Sequence, residues 1–328
     1  MLASMAARLH YSRIALGVIL VAVLSALLIC LIYWSVHYEL PNPMDTLIVR
    51  YRFNRVLSAV TAGLVLGIAG ASLQGCLKNP LVDHYILGVG SGALFAVLLS
   101  ILVYGYSLSI APIAAMAGGL LALSLSIFIA ESIGGTDASY VLAGLGVNAL
   151  FSGLSIMLTY MVAMRYAFAI YFLVGSFTLA SDKYYLTMLV SAFILLASYP
   201  ILAKPLNAVL LGDEHAKQLG YNPRIYRFLA VVSAGIASSL IVSCFGIIGF
   251  IGLVSPHISR FLIKSVDHRV VIPLSGLVGA ILLLLTDDFV RLILSDYVGE
   301  IPTGAIVSIF GAPFFLTLLL TRFRRGLR

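Results

Sequence analysis

Apolar runs long enough to cross a bilayer recur along nearly the whole chain, and they leave it few folds. Residues 14–34 carry no charged side chain. A helix needs about 20 apolar residues to cross a hydrocarbon core. Strands of a membrane barrel would instead alternate polar and apolar in segments of about 10 residues. The runs here are continuous, so the backbone must satisfy its own hydrogen bonds as helix. Composition agrees: 61% of the 328 residues are hydrophobic and 10% charged, against about 25% charged in a soluble domain. The sequence predicts an all-α polytopic membrane protein, a single transmembrane domain over 1–328. Ten spans are expected, at about 14–35, 56–76, 86–104, 111–131, 138–162, 186–203, 228–246, 248–263, 271–293 and 304–321. The eighth is short enough to be partly re-entrant. The first run follows Arg8, His10 and Arg13, but it is too long for a signal-peptide core and no small-residue cleavage site follows it. It reads as a retained span.

An even number of spans puts both termini on one side. With that side inside, fourteen basic residues fall on inner segments. Six fall on outer ones: Arg50, Arg52, Arg55, Arg165, Lys183 and Arg291. This is the positive-inside pattern, so the net charge of +7 reports topology rather than nucleic-acid binding. The expected location is the cytoplasmic (inner) membrane, multi-pass, with both termini cytoplasmic. Cys30, Cys76 and Cys244 lie in or beside apolar segments without CxxC or Cys/His spacing, so neither a metal site nor a disulfide framework is expected. GxxxxGK[ST], HExxH and GxSxG are absent, so no catalytic residue and no cofactor are expected in this chain.

An internal repeat relates "RVLSAVTAGL" (55–64) to "RFLAVVSAGI" (227–236) at an offset of 172. Arg55 stands at the outer end of its span and Arg227 at the inner end of its own. Similar halves of opposite orientation mark an inverted repeat.

Polar interruptions hold the candidate sites. In "VRYRFNRV" Arg52 and Arg55 share one helix face. Their guanidinium groups suit either carboxylates on a docking partner or lipid headgroups. In "TDDFVRLIL" an Asp287–Arg291 pair at i,i+4 would lower the cost of intramembrane charge. "LLGDEHAKQLGYNPRIYR" (210–227) opens a helix with Asp213 and Glu214 and ends it at Gly220. It reads as a short inner-face helix suited to a protein contact, or as a plain loop. His257, beside Pro256, fits a structural role better than a proton-carrying one. The prolines of "GEIPTGAIVSIFGAPFF" are expected to break a short outer helix and shape the ends of the last span.

"RFNRVLSAVTAGLVLGIAGASLQGCLKNPLVDHYILGVGSGA" resembles the permeases of iron-siderophore, haem and cobalamin (type II) ABC importers. "LGDEHAKQLG", "GFIGLVSPHISR", "DHR", "EIPTG" and "GAPFF" match further motifs of that family in order, so the resemblance covers about residues 45–325. It implies a cobalamin-importer-permease-like fold with inverted halves and a homodimer with a pathway on its axis. It also implies two ABC ATPase subunits on the cytoplasmic side, holding ATP and Mg, and an extracytoplasmic substrate-binding protein outside; membrane lipid surrounds the chain. By position, Arg52, Arg55 and Arg291 correspond to outer arginines that meet binding-protein carboxylates. The segment Leu211, Gly212, Asp213, Glu214, His215, Ala216, Lys217, Gln218, Leu219 and Gly220, within 211–222, corresponds to the coupling helix on the ATPase. Asn79, Pro80 and Leu81 shape the inner turn, and Gly88, Gly90 and Gly92 let the next span pack near the pathway. Asn54, Val82 and His84 depart from the family's Pro, Ala and Pro. The function implied is ATP-driven import of a metal chelate, an iron-siderophore first. Haem, cobalamin or a molybdate-type oxyanion is the alternative cargo. The rival classes are a proton-coupled secondary transporter using Asp287 or His257, and a non-transporting membrane scaffold.

Overall fold

The computed structural model describes residues 2–38, 46–107, 109–167 and 169–326, with side-chain surroundings from 15 onward except at Asp137, Val298 and 321–326. Of the inner basic set, Arg328 lies outside the described residues, and the side chains of Arg8, Arg13, Arg322, Arg324 and Arg325 are likewise undescribed. The described residues form helices and no strands.

The long elements are α1 (Leu2–His37), α2 (Thr46–Cys76), α4 (Ile110–Ser132), α5 (Asp137–Ala163), α7 (Tyr185–Leu210), α9 (Pro223–Phe245), α11 (His268–Phe289) and α13 (Thr303–Gly326). Between them stand α3 (Val89–Tyr104), α6 (Ala169–Val174), α8 (Asp213–Gln218), α10 (Ile251–Ile263) and α12 (Ser295–Val298). Eight helices are long and apolar enough to cross a membrane, and α3 and α10 are shorter apolar helices. At about 1.5 Å per residue, the 13 residues of α10 reach only part way across. A π-helical stretch, Val290–Leu294, joins α11 to α12. Pro302 precedes α13, whereas Pro313 lies inside it and ends nothing.

Burial sorts these helices into a centre and a rim. In the most apolar stretch of α2, 83% of residues are buried, against 11% in α1. A central helix in a membrane gains nothing from being oilier than lipid, so it needs small residues that allow close contact. α2 supplies them. A Cβ added to Gly63 would lie 2.3 Å from the Gly279 carbonyl oxygen, and one on Gly67 would lie 2.1 Å from that of Ser275. Toward one end of this pair Gly75 abuts His268, and at the other Arg55 meets Asp287. The partners run in opposite directions, so α2 and α11 are antiparallel and in contact over most of their length.

Backbone geometry repeats with the sequence. Among the described residues, three other than glycine have positive φ: Lys78, Phe250 and Lys264. Lys78 and Phe250 are themselves 172 residues apart, the offset of the Arg55 and Arg227 segments. Each follows the end of a matched helix, α2 or α9, and turns the chain toward a short helix, α3 or α10.

Candidate functional site

The end of α2 begins a first site, at the turn expected to be the inner one. Asn79 is fully buried, and its side-chain oxygen accepts from Leu81 N at 2.9 Å, an Asx turn that lets Pro80 redirect the chain. Asp83 accepts from Ile86 N at 2.7 Å. Gly88, with φ 81, then opens α3. Gly92 packs against the backbone of Gly118 in α4, while Gly90 has ordinary space beside Ile247. All three glycines are buried within the chain.

Across from this turn sits α8. Gly212, with φ 121, precedes it. Gly220, with φ 84, ends it: Gly220 N donates to Lys217 O and Tyr221 N to Ala216 O, both at 2.9 Å. Those two bonds make a Schellman cap. Asp213 does not cap the helix it starts. Its carboxylate accepts from Lys78 Nζ at 2.7 Å and from Arg227 Nη2 and Nη1 at 2.7 and 2.8 Å. Arg227 Nε also donates to the Cys76 carbonyl at 3.1 Å, placing a cation at the C-terminus of α2. Partial burial pushes the Asp213 pKa up, but the hydrogen bonds from Lys78 and Arg227 outweigh it and hold the carboxyl below its usual range. One carboxylate thus ties α8 to the inner turn and to α9. On α8, Ala216 is buried, while the Glu214 side chain is 84% exposed. Leu211 and Leu219 are exposed beside it.

The opposite end of the bundle holds a second ionic cluster. Arg55 Nε and Nη2 donate to Asp287 at 2.8 and 3.1 Å. Arg55 Nη1 donates to Glu300 at 2.9 Å and to the Tyr51 hydroxyl at 3.2 Å. Thr303 Oγ1 donates to Asp287 Oδ1 at 2.7 Å. Both Arg55 and Asp287 are fully buried. The expected Asp287–Arg291 pair is therefore replaced. Asp287 faces α2, and Arg291 turns to Asp288 at 2.8 Å and to Ser35 in α1. The docking role expected of Arg55 and Arg291 does not fit their surroundings, because both guanidinium groups are buried and committed to aspartates within the chain. Arg52 is partly exposed and donates to the Tyr38 carbonyl. His257 binds Leu253 O at 2.8 Å and meets the Phe314 ring edge-on.

Neither Lys78, Arg227, Glu300 nor Ser35 stood out as a partner in the sequence. One signal was available for Arg227, because the repeat aligns it with Arg55.

The model of the FecCD transport family matches residues 14–321. The chain belongs to the FecCD transport family. Members named for different cargo align along most of its length. The hemin transport system permease protein HmuU of Yersinia pestis is 36% identical, over 82% of this chain and 81% of that one. The Fe(3+)-citrate import system permease protein YfmE of Bacillus subtilis (strain 168) is 33% identical, over 85% and 84%. The solved structure of a metal-chelate type ABC transporter in an inward-facing conformation superposes with a TM-score of 0.77 at 30% identity, covering 93% of this chain and 99% of that one. Membership in the FecCD family accounts for the polytopic helical fold.

Proposed function

We propose that the chain is the permease of a binding-protein-dependent ABC importer that brings an iron chelate, first of all an iron-siderophore, into the cytoplasm. Family membership and relatives named for hemin and Fe(3+)-citrate support an iron chelate as cargo. ATP and Mg belong to two partner ATPases, and the chain has no ATP site of its own. A second copy completes the pathway, and a substrate-binding protein delivers the chelate from outside. Both termini are cytoplasmic, in the inner membrane.

The observation that carries this reading is the mounting of α8. Lys78 and Arg227 hold Asp213 from inside, and Glu214 projects outward between exposed Leu211 and Leu219. A short helix closed by a Schellman cap at one end and fixed by ion pairs at the other is a rigid lever. Seated in an ATPase groove at 211–222, it carries ATP-driven closure to the ends of α2 and α9. Arg52 remains the cation suited to binding-protein carboxylates. The inner turn at Asn79–Leu81, backed by Gly88, Gly90 and Gly92, bounds the inner end of the path. Proton coupling is less well supported, since Asp287 is saturated by Arg55 and Thr303. The test is uptake of radiolabelled iron-siderophore by cells carrying Glu214→Arg. Uptake should be abolished at unchanged membrane abundance; normal uptake would overturn the role of α8.

A further inference from the structure

Asp288 is buried, yet its carboxylate is only half used. Oδ1 accepts from Ser35 Oγ at 2.6 Å and from Arg291 Nη2 at 2.8 Å, while the buried Oδ2 receives no hydrogen bond from the protein. A buried acceptor left this way is unfavourable unless a donor reaches it. Asp288 lies in the wall of a groove of about 380 Å³ between α1 and the π-helical end of α11. The other walls are Trp34, Tyr38, Leu285, Phe289, Leu292 and Ile293. The groove thus has an apolar lining, two aromatic rings at the end of α1, and one carboxylate at its polar point. Two residues beyond the end of α11, Arg291 holds the other oxygen of Asp288 from behind the groove wall.

We propose that this groove binds a phospholipid with a primary-amine headgroup, phosphatidylethanolamine. The ammonium supplies the N–H that Asp288 Oδ2 lacks. Trp34 and Tyr38 face the cation with their rings, as aromatic side chains do at the membrane interface. Leu285, Leu292 and Ile293 take the upper part of an acyl chain. A lipid is favoured over a protein lysine because α1 is the most exposed span. Its outward residues, such as Val23, Leu27, Ile29 and Tyr33, are apolar. A methylated headgroup would offer Oδ2 no N–H, so phosphatidylcholine should bind less well. The site does not depend on which cargo the chain carries.

The test uses the purified full-length chain in mild detergent, incubated with equimolar phosphatidylethanolamine and phosphatidylcholine, and read by native mass spectrometry. One phosphatidylethanolamine should be retained per chain, at least about tenfold over phosphatidylcholine, and Asp288→Asn should remove that preference. Equal retention of the two lipids, or an unchanged preference in Asp288→Asn, would overturn the proposal. Trp34→Leu, on an exposed wall, keeps the test decisive should Asp288→Asn fail to fold. It should weaken retention roughly threefold, and no weakening would overturn the proposal. A third measurement covers the protein alternative. If Asp288→Asn reduces capture of an extracytoplasmic partner while lipid retention stays unselective, the groove takes a lysine and the lipid assignment falls.

Discussion

Arg227 grips Asp213 with two nitrogens while its third donates to the last carbonyl of α2. The start of α8 therefore cannot shift without disturbing α9 and the end of α2 together. The pair is about a third exposed, so its worth lies in direction more than in stability.

Asp213→Asn should uncouple the transporter rather than unfold it. Transport per ATP hydrolysed should fall on the order of tenfold, the scale of an ordinary coupling free energy. Abundance and thermal stability should stay near those of the parent. Parallel measurement of uptake and ATP hydrolysis in proteoliposomes checks this. A proportional fall in both would mean that the ion pair only supports folding.

The outer pair behaves differently because it is sealed. Removing one partner of a buried ion pair costs about 3–5 kcal/mol. Arg55→Ala should lower the melting temperature in detergent strongly, and so should Asp287→Ala. Arg55→Met with Asp287→Leu should recover much of the loss. A melting temperature of Arg55→Ala within a degree of the parent would contradict the burial seen here.

Acid sensitivity has a local source in Asp267, which caps α11 through Arg269 N. Burial alone would raise its pKa, but hydrogen bonds from Arg269 and Asn207 prevail and lower it to about 2. The unfolded value is about 3.9. The contribution is thus complete above about pH 3.9 and is lost as pH falls toward 2. Asp267→Asn should flatten the stability profile between about pH 4 and 2 and leave its shape between pH 6 and 8 unchanged. Chemical denaturation across that range reads it out.

Contact between α2 and α11 leaves no room for a methyl group. Gly63→Val must push two backbones apart, whereas a Cβ at Gly146 meets nothing within 4 Å. Gly63→Val should therefore sharply reduce the yield of folded protein by size-exclusion chromatography. Gly146→Ala should match the parent.

The apolar runs made the membrane class and the helical fold readable, since bilayer thickness and backbone hydrogen bonding admit few alternatives. The repeat was readable from ten residues and returns in the backbone at Lys78 and Phe250. Gly220 ended α8 for the reason its position implies. The charge pairings were not readable. On sequence spacing Asp287 pairs with Arg291, four residues away, yet it binds Arg55 on another helix. Neighbouring residues on a helix point about 100° apart, so which of Asp287 and Asp288 faces α2 depends on how α11 is rotated. That rotation is set by the glycine contacts with α2. Lys78 reached Asp213 by the same kind of long-range placement.

Arg55 and Arg227 hold matching positions in the two similar segments, yet under the proposed orientation they meet different waters. The outer arginine stands toward a medium whose acidity and salt vary, and it is wholly enclosed, out of reach of screening ions. The inner one stands in the buffered cytoplasm and is left about a third open. The same ionic lock has been built once as a weatherproof rivet and once as a hinge pin that the cell's interior can reach.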